Sequence, residues 1–395
     1  MPRMQPRRPE LAQWRASLVA LALFASATCS DAVQTIQVGP NRAVQTIAEA
    51  AQLAKDGDTV EVDAGTYQGD VAVWKQNSLL VRAVGGRARL LAAGAAAEAK
   101  AIWVIRGGEI TVQGFDFEDA RVPDRNGAGI RFERGRLTVR SCTFMRNEMG
   151  LLTNNDGKAE LIVENSEFAH NGRPDGHNHQ LYVGNIASLS VTGSYFHHGV
   201  IGHLLKTRAL QNRIMYNRLT DEYGGRASYE LEFPNGGIAY VVGNIVGQSR
   251  QTENSVLISF GAEGYTWPAN EIYLVNNTLI DGTLLGGQFL RVKPGAKVIK
   301  AVNNLLVGRA SLEAGNVGEF INNFNVSMNE FDPNLPQSFR LHATSKALGR
   351  AIDPGEANNQ SLRSIREYVH GLGATALNSA AIHPGAIQRV DRDVP

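Results

Sequence analysis

Four stretches of the chain, ITVQGFDF (110–117), LTVRSCTF (137–144), LIVENSEF (161–168) and LSVTGSYF (189–196), repeat one pattern. Apolar residues alternate through the first half, a small or polar pair follows, and an aromatic closes each copy. Degenerate copies continue as RIMYNRL (213–219), YVVGNIV (240–246), YLVNNTL (273–279), KAVNNLL (300–306) and EFINNFN (319–325). Alignment places Phe115, Cys142, Ser166, Ser194, Asn217, Asn244, Asn277, Asn304 and Asn323 at one position, with a mean spacing of 26 residues. Short β-like runs at such a period indicate a solenoid of stacked coils. Helical repeats are excluded because no copy carries two apolar stripes at helical spacing. A leucine-rich repeat would need a recurring L-x-x-L-x-L, which is absent.

This pattern resembles the right-handed parallel β-helix of the pectate-lyase-like superfamily over roughly residues 33–390. The run Asn217, Asn244, Asn277, Asn304, Asn323 looks like an asparagine ladder at a left-handed corner, where stacked amides satisfy one another. AVQTIAEAAQLAKDGDTVEVDAGTY (43–67) looks like a capping helix over 43–54 followed by a first strand at 59–62. Such a cap would cover the open end of the solenoid. SKALGRAID (345–353) and IHPGAIQ (382–388) resemble the closing segment of bacterial members. The expected fold is all-β, a single-stranded right-handed parallel β-helix with a short N-terminal capping helix.

Arg3, Arg7, Arg8 and Arg15 precede the apolar run 18–24, and Ala25-Ser26-Ala27 supplies a small-residue cleavage site. These residues read as an export signal, with the β-helix domain over 28–390 and a tail over 391–395. The expected location is secreted or periplasmic, with no membrane span. Removing residues 1–27 takes away four Arg and one Glu, so the formal charge falls from +1 to −2. That balance gives no reason to expect a nucleic-acid partner. Only Cys29 and Cys142 are present, and Cys142 reads as a small core residue.

Against this repetitive scaffold, residues 177–232 are chemically dense. They hold His177, His179, His197, His198 and His203, with Tyr182, Lys206, Arg208, Tyr229, Glu230 and Glu232. In a β-helix each coil stacks ~4.8 Å above the last and alternate strand residues face outward. With Leu181, Val183, Leu205, Thr207, Leu231 and Phe233 inside, strict alternation turns Gln180, Tyr182, Lys206, Arg208, Glu230 and Glu232 outward. Arg291 joins them from a later coil. A slip of one residue would invert every assignment.

Such a patch suits an acidic polysaccharide or oligosaccharide. Arg208 is placed to take a uronate carboxylate in bidentate fashion. Neutralising that carboxylate acidifies the adjacent C5 proton, and Lys206, His179, His203 and Tyr182 are the candidate bases. His177, Gln180, Tyr229, Arg291 and Trp267 are the expected sugar contacts. No cofactor is required, although Glu230 and Glu232 on one face could hold Ca²⁺. The expected unit is a monomer.

Two families use this chemistry on this fold. HLLKTRALQNRIMYN (203–217) partly resembles the lysine segment of alginate lyases related to chondroitinase B. There an acid would precede the lysine; here His203 stands in its place and the carboxylates come one coil later in YELEF (229–233). PDGHNHQL (174–181) and HHGVIGHLLKTR (197–208) look distantly similar to mannuronan C5-epimerases, whose Asp-Pro-His-Asp box is replaced here by Pro174-Asp175-Gly176-His177. The resemblance implies a polysaccharide lyase or C5-epimerase.

Two other classes stay open. A glycoside hydrolase would need two carboxyls flanking a cleft, from Glu230 and Glu232 or from Asp221 and Glu222. A non-catalytic periplasmic protein would use the same strand face to bind or guide a polymer. His177 and His179 could place two metal ligands on one strand face, but read more simply as part of an exposed loop. His197-His198 falls at a turn, with one of the pair at most functional. Tyr265 sits with Trp267 on a loop, to stack on sugar or to pack beneath. His342, His370 and His383 are expected to be structural.

Overall fold

The computed structural model describes residues 33–390 except 176, 177, 314, 316, 335 and 372, together with residues 1 and 2. The stretch over 1–27 expected to be an export signal, apart from those first two residues, and the tail over 391–395 lie outside the described residues, as does His177. Among the described residues no helix is long and apolar enough to cross a membrane.

From Thr35 to Val326 the chain winds as stacked parallel coils. One face is a nine-stranded parallel sheet running from Ala72–Trp74 to Gln288–Val292. The other two faces are linked into a 21-stranded sheet. The repeat motif builds both: Leu137, Leu161 and Leu189 stack in register on one, and Phe144, Phe168 and Phe196 on the next. Inside the coil Phe117, Phe144, Phe168 and Phe196 stack with centroids 5.0, 4.6 and 4.7 Å apart. Spacing of side chains by the coil repeat makes the core a pile of like residues.

The corner within each motif is an amide ladder. Asn217 Nδ2 donates to Asn244 Oδ1 at 3.0 Å, Asn244 to Asn277 at 3.1 Å, Asn277 to Asn304 at 3.0 Å and Asn304 to Asn323 at 2.8 Å. Ser194 and Ser166 continue it with hydroxyls, and Cys142 ends it as a buried thiol pushed up to about 11 by desolvation. The left-handed residues are the ones just before the ladder. Ser141, Asn165, Tyr216, Asn276, Asn303 and Asn322 have φ between 49° and 59°, and Gly114, Gly193 and Gly243 complete the column. The left-handed backbone turns the chain, and the next side chain points inward to bond the coil above.

The helix is shorter than the sequence pattern suggests, Ile47–Leu53. Val44 bridges to Val38 in extended conformation, and Thr46 Oγ1 accepts from Glu49 N at 3.1 Å, so the helix starts at the cap. Ile47 and Ala50 bury against the first coil. The strand expected over 59–62 runs on through Asp63-Ala64-Gly65 to Gln68, paired with an earlier strand Thr35–Val38, and a register shift between Asp63 and Gly65 absorbs the turn.

The stretches 345–353 and 382–388, expected to belong to a closing segment, lie in the chain after Val326, which runs back along the outside of the coils. Phe331, Phe339, Leu341, Ala347, Tyr368, Ala386 and Ile387 cover Ile245, Leu305 and Val307. Ala357 and Leu362 pack on Tyr216, Tyr240, Val242, Tyr273 and Val275. Asn276, Asn303 and Asn322 donate to the carbonyls of His383, Ile352 and Arg350 at 2.9, 2.8 and 2.6 Å.

Candidate functional site

The nine-stranded sheet carries the dense stretch. Leu181 pairs with Leu205 and Leu205 with Leu231, which sets Tyr182, Lys206 and Glu232 in one outward column, followed by Ser259 and Arg291. The outward placement expected for these residues holds, but strict alternation does not extend to the strand starts. There two successive residues face inward: Ile102-Trp103, Leu204-Leu205, Leu257-Ile258 and Phe289-Leu290 are all core. Gln180 and Glu230 occupy the first of these inward positions. The expected sugar contact Gln180 is therefore 1% exposed, accepting from Asn171 Nδ2 and donating to the carbonyls of His197 and His198.

Glu230 is likewise inside the coil, 0% exposed, with no partner for either carboxylate oxygen. Desolvation pushes its carboxyl well above the usual range, with Asp221 and Asp281 adding to the effect. Glu230 and Glu232 thus do not form the paired outward carboxylates expected for Ca²⁺ or for a glycosidase. Asp221 is also no outward cleft acid: it is buried, and its two oxygens accept from Gly199 N and Ala227 N at 2.6 Å. Glu222 is engaged by Tyr195, Thr220 and Arg218.

The outward side chains form a connected network. Lys206 Nζ lies 3.0 Å from Glu232 Oε2 and 2.7 Å from Glu263 Oε1. Arg208 Nη2 lies 2.7 Å from Glu263 Oε2, so each oxygen of the Glu263 carboxylate meets one cation. Arg208 Nε donates to the Tyr182 hydroxyl at 2.9 Å, and Nη1 donates to Asn235 Oδ1. Burial would raise the Glu263 carboxyl, but contacts with Lys206 and Arg208 outweigh it and hold it below the usual range. Sequence reading missed Glu263 and Asn235. Glu263 sits on a loop 57 residues beyond Lys206, outside any strand pattern, and nothing local signals it.

Histidines back this network. His203 Nε2 lies 2.9 Å from Glu232 Oε2, a close polar contact that is not aligned as a hydrogen bond. Burial lowers the His203 imidazole, and Glu232 only partly compensates. The Glu232 carboxyl, which burial alone would raise, is drawn down by His203 and Lys206. His179 is buried, stacks between Tyr182 (5.4 Å) and His203 (4.6 Å), and accepts the His203 backbone N–H on Nδ1 at 3.0 Å. That acceptor role fixes its tautomer and marks it as a positioning group.

The remaining expected contacts divide. Tyr229 meets His203 edge-on at 4.9 Å, and Arg291 lies over its ring and donates to its hydroxyl, which extends the patch by two coils. Trp267 Nε1 donates to the Arg208 carbonyl at 3.0 Å, bracing the strand end. Tyr265 packs beneath its loop against Phe260, with its hydroxyl on the Lys293 carbonyl at 2.6 Å. His342, His370 and His383 bond Thr344, Tyr368 and Gly349 within the C-terminal segment.

Stacked parallel coils with an outward polar column define a right-handed parallel β-helix of the pectate-lyase-like kind. The fold is similar to that in the crystal structure of pectate lyase Pel9A, with a TM-score of 0.59 and 15% identity over 90% of this chain and 96% of that one. No family model and no curated protein matches the sequence.

Proposed function

We propose that this protein is an exported carbohydrate-active enzyme that binds an acidic polysaccharide along the nine-stranded face and removes the C5 proton of a uronate residue. The observation that carries this reading is the Glu263 carboxylate bridging Lys206 and Arg208, one oxygen to each cation at 2.7 Å. Two cations so spaced make a two-point carboxylate site, and Glu263 stands in for the carboxylate of a uronate. With side-chain exposure of 44%, against 11% for Lys206 and 18% for Arg208, Glu263 is the member of the trio positioned to leave.

A uronate in its place would have its charge neutralised by Lys206 and Arg208, which stabilises the enolate-like intermediate on the same oxygens. Lys206 is engaged by two carboxylates and serves electrostatically. Tyr182 presents its hydroxyl 2.9 Å from Arg208 on the outward face, which makes it the group of choice for the proton. His179 and His203 hold Tyr182 and Glu232 in place. The pectate lyase fold of the structural neighbour supports a polysaccharide substrate for this chain.

The test is incubation with a panel of uronate polysaccharides, read by absorbance of the unsaturated product and by NMR for inversion at C5. Unsaturated ends mean a lyase, and inversion without them an epimerase. Tyr182→Phe should cut kcat by ~10²–10⁴-fold with KM little changed, whereas Arg208→Ala should raise KM. Glu263→Ala should lower KM by removing the internal competitor. Binding of a uronate polymer that survives Arg208→Ala, with no turnover by the wild type, is the outcome required by a non-catalytic polymer-guiding protein. No binding to any uronic polymer overturns both readings.

A further inference from the structure

Three histidines meet at the corner that follows the strands Glu167–Ala169 and Tyr195–His197, away from the Lys206 network. Ala169 lies opposite His197 in register, so His170 and His198 are successive rungs of the same corner. Their rings stack at 4.5 Å, and both residues lie in the left-handed region, at φ 54° and 49°. His197 comes from the strand itself, with its ring 4.1 Å from Tyr195. One nitrogen from each of the three lies within 4.8 Å of the others.

A stack of imidazoles joined by one N–H···N bond is the simplest account of this corner. Two details go beyond it. His197 Nδ1 and His198 Nδ1 approach to 2.5 Å, well inside the ~2.9 Å of an ordinary N–H hydrogen bond. Two ring nitrogens that converge on one point, with a third nearby, are an arrangement that one cation can share. The far nitrogen of His197, Nε2, lies 2.9 Å from Glu167 Oε1. A carboxylate on the distal N–H fixes the tautomer that turns Nδ1 toward its neighbours, the arrangement that orients metal-bound histidine.

We propose that His170, His197 and His198 hold a divalent transition-metal ion of the zinc class, with Glu167 orienting His197. Metal–nitrogen distances of ~2.0–2.1 Å in tetrahedral geometry would spread the His197 and His198 nitrogens to ~3.3 Å, a small rotation of two rings. Three imidazoles leave a fourth position, and because His170 is exposed that position opens to water. The carboxylate-rich Lys206 network, by contrast, is already charge-balanced by its own cations.

The test uses the chain without a polyhistidine tag, stripped with chelator. It is titrated with Zn²⁺ by calorimetry and with Co²⁺ by visible absorption. One ion per chain is expected, with a Co²⁺ band of tetrahedral nitrogen ligation. His170→Ala and His198→Ala should each weaken binding by at least ~10-fold, and Glu167→Gln by ~10-fold, while His203→Ala leaves it unchanged. Absence of the Co²⁺ band in the wild type overturns the proposal whatever the variants do. So does uptake undiminished by the two corner substitutions, or uptake lost in His203→Ala, which would move the ion to the Lys206 network.

Discussion

Glu230 is a carboxyl group sealed inside the coil between the Leu204 and Leu257 positions of the adjacent coils, with nothing to bond. Its folded-state value is raised, so it stays protonated where an unfolded glutamate, at ~4.3, has ionised. Above that pH the unfolded chain releases a proton that the native state keeps, and stability therefore falls as pH rises until the native value is passed. Glu230→Leu should remove this slope and add about 1–3 kcal/mol by deleting an unsatisfied buried polar group. Thermal unfolding at pH ~5 and ~8 checks it: the wild type should lose more between the two than the variant does. Equal losses would mean that Glu230 is ionised or solvated in the native state.

At the scale of the strand and corner, the sequence exposed the repeat, the ladder and the outward side chains Tyr182, Lys206, Arg208 and Glu232. It concealed Gln180 and Glu230 because period-two alternation fails where the strand leaves the corner. The doublets Ile102-Trp103, Leu204-Leu205, Leu257-Ile258 and Phe289-Leu290 carried that signal, since two apolar neighbours cannot both be core in an alternating strand. Gly129 and Gly150 carried it too; a Cβ at Gly129 would stand 2.7 Å from the Phe144 ring. Glu263 could not be found this way, because loop residues obey no period. The ladder is graded along its length. Asn277 bonds Asn244 and Asn304 and the Val241 carbonyl in full burial, while Asn323 ends the series half-buried. Asn277→Ala strands several buried groups at ~1–3 kcal/mol each, so it should lower the unfolding temperature far more than Asn323→Ala. Equal effects would show that the ladder does not act as a stack.

At the scale of the molecule, the segment over 327–390 covers a flank that would otherwise be apolar. Ile245, Leu305 and Val307 lie under one part of it, and Tyr240 and Tyr273 under another. A chain ending at residue 326 should bind a hydrophobic dye and unfold at lower temperature with a broader transition. A truncated chain that melts like the parent would mean that the coils are self-sufficient.

A stack in which each coil touches only its neighbours unravels like a one-dimensional chain of weakly linked units, fraying from either end. Here Ile365 donates its N–H to the Tyr216 hydroxyl, 149 residues back, and the Gln337 carbonyl accepts from Arg218, 119 residues back. The segment that follows the coils thereby lashes the late coils to the middle ones. Fraying at the C-terminal end then requires the strap to be lost first, and the solenoid acquires the all-or-none behaviour of a globular domain. A single proteolytic cut in the strap would return it to a spring that opens coil by coil.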